Sequence, residues 1–245
     1  MITFKDTIEV VVFDIEGTIC PITFVKDTLF PYFLEQAPSY LSKLKYPLDS
    51  KSDDQITKIL SEFANEVTES EEKLSSHIKH LVDTDQKVAP LKSFQGLVWK
   101  LGYELGELKA PLYDDALEFF NQPPPLVQST YIYSSGSIAA QKLLFKYVKN
   151  GDESIDLNPK LSGYFDIITA GYKQEQSSYE KILQNIKYDD KPSKVLFLSD
   201  NVNEVNAALK AGLNSVIVVK PGNAPLSEED EQKHSIIKSL NELHF

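Results

Sequence analysis

The hydrophobic positions of this chain follow two different periods. Residues 8–13 form a β-branched, nearly continuous apolar run. That is the pattern of a strand covered on both faces, as in a parallel sheet. The run stops at Asp14, and Gly17 marks a turn. From about residue 24 to 122 the character becomes helical. Ile56, Ile59, Leu60, Phe63 and Val67 follow a 3.6-residue period and predict a helix over 53–70. Leu74, Ile78, Leu81 and Val82 predict the next. Phe94, Val98, Leu101 and Leu105 predict a third, despite glycines at 96, 102 and 106. No strand pattern interrupts this stretch, so it reads as a helical bundle inserted after one strand.

Pro123, Pro124 and Pro125 form a rigid break, and beyond them strands and helices alternate. Residues 130–133 read as a strand and 138–148 as a helix with Ser137 as its N-cap. Residues 164–169 read as a short strand. Ser177 and Glu180 have capping-box spacing and open a helix to about Ile186. Then follow a strand at 195–198, a helix at 202–211 ended by Gly212, and a strand at 216–219. A final helix carries Ile236, Ile237, Leu240 and Leu243, and the acidic run 228–231 suits a helix start. The predicted fold is α/β: a Rossmann-like parallel sheet core with an inserted helical cap domain. The expected boundaries are 1–23 and 123–245 for the core and 24–122 for the cap.

Composition narrows the function. The 245 residues hold 36 acidic and 25 basic side chains, a net charge of −11. That balance disfavours nucleic acid and anionic membrane surfaces as partners. All the basic residues are lysine, so any phosphate is gripped without a guanidinium fork. The single cysteine, Cys20, excludes an internal disulfide and a cysteine-clustered zinc site. No apolar run approaches the ~20 residues of a membrane span, and no leader is evident at the N-terminus. The chain reads as soluble and intracellular, with a charge compatible with a nuclear pool beside a cytoplasmic one.

In open α/β sheets, ligands bind beyond the carboxyl ends of the strands. Three predicted strands end in polar residues there. The first ends in Asp14, with Glu16 two residues on. The second ends in Ser134 and Ser135. A third ends in Ser199 and Asp200, with Glu204 one helical turn later. A carboxylate cluster of this kind calls for a cation. Oxygen donors without His or Cys point to Mg²⁺, held by Asp14, Glu16 and Asp200. Ser134 and Ser135 lie at a helix N-terminus, an anion site, and Lys173 completes a phosphate clamp. His77 and His80 lack a third ligand and read as surface residues.

Asp14, Ile15, Glu16, Gly17 and Thr18 resemble the first motif of the haloacid dehalogenase superfamily. Ser134 or Ser135, Lys173 and Asp200 fall where its other motifs belong. The chain resembles most closely the enolase-phosphatases of methionine salvage, the acireductone synthases. Phe24 to Asp27, Leu29 to Tyr32, Gln95 with Gly96 and Trp99, Tyr131 to Ser137 and Lys220 to Asn223 carry that likeness. Glu16 replaces the aspartate usual in the wider superfamily. The resemblance implies a Mg²⁺-dependent, monomeric enzyme acting on a small phosphorylated diketone, 2,3-diketo-5-methylthiopentyl 1-phosphate. Asp14 would be the nucleophile and form an aspartyl phosphate. Glu16 would be acid and then base. Ser134, Ser135 and Lys173 would hold the phosphate. Enolisation precedes dephosphorylation, with Glu16 and Lys173 both open as its base. Lys173 would need a depressed pKa for that role. Phe24, Trp99 and Tyr103 are expected either to pack or to contact the methylthio tail.

Overall fold

The structure is a computed structural model describing residues 1–84, 86 and 88–245. In chain order, the first elements are β1 (Ile2–Thr3), β2 (Val10–Phe13), α1 (Phe30–Leu41), α2 (Gln55–Leu60), α3 (Glu71–Asp83), α4 (Ala89–Glu104) and α5 (Asp114–Asn121). Next come β3 (Ser129–Tyr133), α6 (Ile138–Lys146), β4 (Val148–Asn150), β5 (Glu153–Ile155), β6 (Gly163–Phe165) and α7 (Gln176–Ile186). The last are β7 (Val195–Ser199), α8 (Val202–Lys210), β8 (Asn214–Val218), α9 (Glu228–Lys233), β9 (Ile236–Ile237) and β10 (Leu243–His244).

The chain divides into two compact units, one of Met1–Phe24 with Lys109–Phe245 and one of Val25–Leu108. The first is built on a six-stranded sheet in the order β6-β3-β2-β7-β8-β9, with every pairing parallel. The expected α/β class is therefore borne out. All four residues of β2 and all five of β7 are buried, as strands covered on both faces must be. Side chains alternate across β2. Val10 and Val12 join Tyr133, Tyr179, Ile182, Phe197 and Ala208 on the face covered by α7 and α8. Phe13 points the other way, onto Phe119 and Phe120 of α5 at ring separations of 5.1 and 5.5 Å. That packing, with the Tyr113 amide donating to the Ile19 carbonyl at 2.9 Å, ties residues 109–122 to the sheet ahead of the proline break.

The second unit is helical. Phe33, Leu41, Leu60, Leu74, Ile78, Phe94 and Val98 form its core. Its glycine at 102 has a packing reason, because a Cβ there would stand 2.6 Å from the Tyr32 ring. Tyr32 is fixed by its hydroxyl, which donates to Glu107 at 2.6 Å.

Four local expectations are corrected. The helix over 53–70 ends at Leu60, and turns follow. There the Ser61 hydroxyl donates to the Lys58 carbonyl and the Thr68 hydroxyl to that of Asn65, offering the backbone alternatives to the helix. Phe63 and Val67 still pack on the core. The helix from 138 stops at Lys146, and Val148 instead opens the β4–β5 hairpin. The capping box at Ser177 does not form: α7 begins at Gln176, with Glu175 before it making no side-chain cap. The final helix is replaced by the short α9, capped by Ser227. Ile236 and Ile237 then pair with Ile217 and Val218 as an edge strand, which outweighs helical periodicity. Among the described residues, no helix is long and apolar enough to cross a membrane.

Candidate active site

Parallel register aligns the strand ends. Phe13 pairs with both Ile132 and Leu198. Asp14 therefore stands level with Tyr133 and Ser199, one step before Ser134 and Asp200. The chain runs from β2 outward to β3 and β6, then crosses back to β7, so β2 and β7 flank the switch point of the sheet. Asp14 is 6% exposed at that point.

Lys173 comes from the loop between β6 and α7. The Tyr133 hydroxyl donates to the Gly171 carbonyl and the Tyr179 hydroxyl to that of Lys173, each at 2.7 Å. Gly171 takes φ +119, and a side chain there would strike the Ser178 hydroxyl. So shaped, the loop buries Lys173 with its Nζ 2.6 Å from Asp14 Oδ1 and 2.7 Å from Glu204 Oε2. Asp14 Oδ1 also accepts the Ile15 amide at 2.7 Å. Ser199 lies between the acids, its Oγ 2.7 Å from Glu204 Oε2 and 3.3 Å from Asp14 Oδ2. Asp14, Lys173 and Glu204 are thus one connected group.

The electrostatics follow from burial and crowding. Burial alone would lower the Lys173 pKa, but Asp14 and Glu204 outweigh it and hold the ammonium above the ordinary lysine value. Burial, then the charge of Asp14, pushes Glu204 up. Asp200 is pushed up to about 7 by burial first and by Asp14 and Glu204 next. Three carboxylates here face one ammonium, a two-charge excess that a divalent cation would balance. Among the described residues, no three His, Cys, Asp or Glu side chains stand gathered as a ready cage, so Asp14, Glu16 and Asp200 do not form one. That suits a hard cation that takes one or two carboxylates and fills its other positions with water and phosphate.

Glu16 rides on a tight turn. The Cys20 amide donates to the Ile15 carbonyl at 2.9 Å and the Gly17 amide to the Cys20 carbonyl at 2.8 Å. Gly17 adopts φ +77 against Asp200, whose Cγ would lie 2.7 Å from an added Cβ. The Asp200 amide donates to Thr18 Oγ1 at 3.1 Å. Burial, then the Glu16 charge, drives the Cys20 thiol far up, consistent with a filler rather than a nucleophile.

The two serines differ. Ser134 is buried, and its Oγ accepts the Gly136 amide at 3.4 Å, whereas Ser135 is exposed. Ser137 caps α6 as expected, its Oγ accepting the Ala140 amide. Gln141 braces this loop by donating to the carbonyls of Gly136 and Phe165 at 2.8 and 2.9 Å. Phe24 and Tyr103 are buried, and the Trp99 indole N–H donates to the Leu29 carbonyl at 2.8 Å.

Sequence reasoning gave no individual role to Thr18, Ser199, Gln141, Asp115 or Asn223. Ser199 was visible as a strand end. The bridge from Asp115 to Lys220, 2.6 Å between a partly buried carboxylate and a buried ammonium, spans 105 residues and left no local signal.

Residues 8–212 match the model of the haloacid dehalogenase-like hydrolase family. Enolase-phosphatase E1 of Candida albicans is 54% identical, with 96% of this chain and 95% of that protein covered. Enolase-phosphatase E1 of Debaryomyces hansenii is 55% identical over 99% of this chain and 98% of that protein. Among solved structures, the UTR4 protein of Saccharomyces cerevisiae is 42% identical with a TM-score of 0.84, covering 97% of this chain and all of that one.

Proposed function

Because the chain belongs to the haloacid dehalogenase-like hydrolases and, within them, to the enolase-phosphatases, we propose that it converts 2,3-diketo-5-methylthiopentyl 1-phosphate to the acireductone and phosphate in methionine salvage. It acts as a monomer in the cytoplasm. The observation that carries the reading is the buried group of Asp14, Lys173 and Glu204 at the switch point of the sheet. Every side chain used below lies in the unit of Met1–Phe24 and Lys109–Phe245.

Asp14 attacks phosphorus, and the phosphorus–oxygen bond to the substrate breaks as the aspartyl phosphate forms. Oδ1 is held by Lys173 and the Ile15 amide, so Oδ2, with the longer Ser199 contact, is the freer oxygen for attack. Lys173 offsets charge on the phosphoryl oxygens, and Ser134, Ser135 and nearby amides hold the remainder. Glu204 keeps the Lys173 ammonium in place. Glu16 protonates the leaving oxygen. It then takes a proton from the water that attacks phosphorus and frees Asp14. Lys173 is held charged by its two carboxylates, so Glu16 is the better base for enolisation. Asp14 and Asp200 would hold Mg²⁺, which when bound would neutralise phosphoryl charge and polarise the carbonyl beside the abstracted proton.

The test uses purified protein with Mg²⁺ and the diketo phosphate, following enol absorbance and phosphate release together. The expected result is an enol signal followed by phosphate. With Asp14→Asn, phosphate release should fall by at least about 10³-fold, the scale of removing a covalent nucleophile. Phosphate without any enol, or turnover no better than with generic phosphomonoesters, would overturn the specific assignment.

A further inference from the structure

Asn223 lies past the end of β8, in the turn opened by Lys220 and Pro221. Its Nδ2 donates to the Gly17 carbonyl at 2.9 Å and to the Val218 carbonyl at 3.2 Å. One amide thus ties the turn that carries Glu16 to the end of a strand more than 200 residues away in sequence. Its orientation is fixed, because a flipped amide would set its oxygen against two carbonyl oxygens. Keeping both donations leaves Asn223 Oδ1 buried without a partner, a cost accepted for the sake of the donor side.

The mounting of Asn223 is itself rigid. Its amide closes a turn onto the Lys220 carbonyl at 3.2 Å, and Gly222 takes φ +89. The Lys220 ammonium pairs with Asp115 Oδ2 at 2.6 Å and sits 4.7 Å above the Tyr113 ring. The Leu240 amide also donates to that carboxylate oxygen, at 2.8 Å. Two residues before Asp115, the Tyr113 amide holds the Ile19 carbonyl. The Glu16 turn is therefore gripped at Gly17 by Asn223 and at Ile19 by Tyr113, and the Lys220–Asp115 pair joins the two grips.

We propose that Asn223 is a positioning residue for Glu16, holding its turn so that the carboxyl meets the leaving oxygen. The inference rests on the reading of Glu16 as the proton donor. A positioned acid matters most for a leaving group that departs poorly without a proton, and a general fault in folding would slow all substrates alike.

The experiment measures kcat in saturating Mg²⁺ for a graded set of aryl phosphates, from acidic to weakly acidic phenols, and for the diketo phosphate. Asn223→Ala should steepen the dependence on leaving-group acidity. Turnover of the diketo phosphate and the least acidic phenol should fall about tenfold or more, and that of the most acidic phenol by less than about threefold. Glu16→Gln should steepen it in the same sense and further. Asn223→Asp keeps the side-chain volume and loses the Nδ2 donor, so it carries the same test should the alanine variant not fold. An unchanged slope in both Asn223 variants beside a steepened slope in Glu16→Gln would overturn the positioning role alone. An unchanged slope in Glu16→Gln would overturn the reading of Glu16 and the inference with it.

Discussion

At the scale of single residues, the site depends on backbone that only certain side chains permit. Gly17 combines a positive φ with the Asp200 carboxylate at its Cα, so any Cβ is both strained and blocked. Gly17→Ala is expected to cost about 1–3 kcal/mol of stability, the usual cost of a non-glycine residue held at such a φ. It should also lower phosphate release about tenfold or more, because Asp200 must yield. Thermal unfolding and steady-state phosphate release check the two effects. Asp14, Glu16, Ser134 and Asp200 were legible as strand-end polar residues, since the sheet rule places them before any coordinates are known. Lys173 was legible only through its loop before a predicted helix and its motif position. Nothing local marks it among the lysines as the one buried between two carboxylates.

At the scale of elements, the hydrophobic pattern was reliable where it matched the burial of the element, on both faces of a central strand or on one face of a helix. β2 and β7 read correctly from uninterrupted apolar runs, and α3 and α4 from the 3.6 period. It failed where another interaction competed. Ser61 and Thr68 hydroxyls cut α2 short, and an open sheet edge claimed Ile236 and Ile237 from a helix. The Lys220–Asp115 pair, joining the end of β8 to α5, has a consequence for acid stability. Burial alone would raise the Asp115 pKa, but Lys220 and the Leu240 amide hold it below the ordinary carboxylate value. The folded value therefore lies under the unfolded one. The stabilisation is present above about pH 4 and is lost as pH falls through the lower, folded value. Asp115→Ala strands a buried ammonium and should destabilise by about 3–5 kcal/mol at pH 7. The deficit should shrink below pH 4, where the native protein loses the same interaction. Denaturant unfolding of both proteins at pH 7 and pH 3 measures it.

At the scale of the whole molecule, the candidate catalytic group is assembled from distant parts of the chain. Asp14 comes from the first strand of the sheet, Lys173 from a loop beyond β6, and Asp200 and Glu204 from the far side of the crossover. Alternation of strands and helices made the α/β unit readable, but grouping 109–122 with the sheet depends on Phe119 and Phe120 meeting Phe13, which no local pattern announces. The single cysteine gives this assembly a clock. Cys20 is fully buried within the Glu16 turn, and burial keeps its thiol protonated, so an alkylating reagent finds nothing to attack until that turn opens. Each alkylated molecule, weighed by mass spectrometry after a timed pulse, is then one recorded opening. The Asn223→Ala chain should accumulate such marks faster than the native one, and the ratio of the two rates gives how much more often the turn stands open once the Asn223 amide is gone.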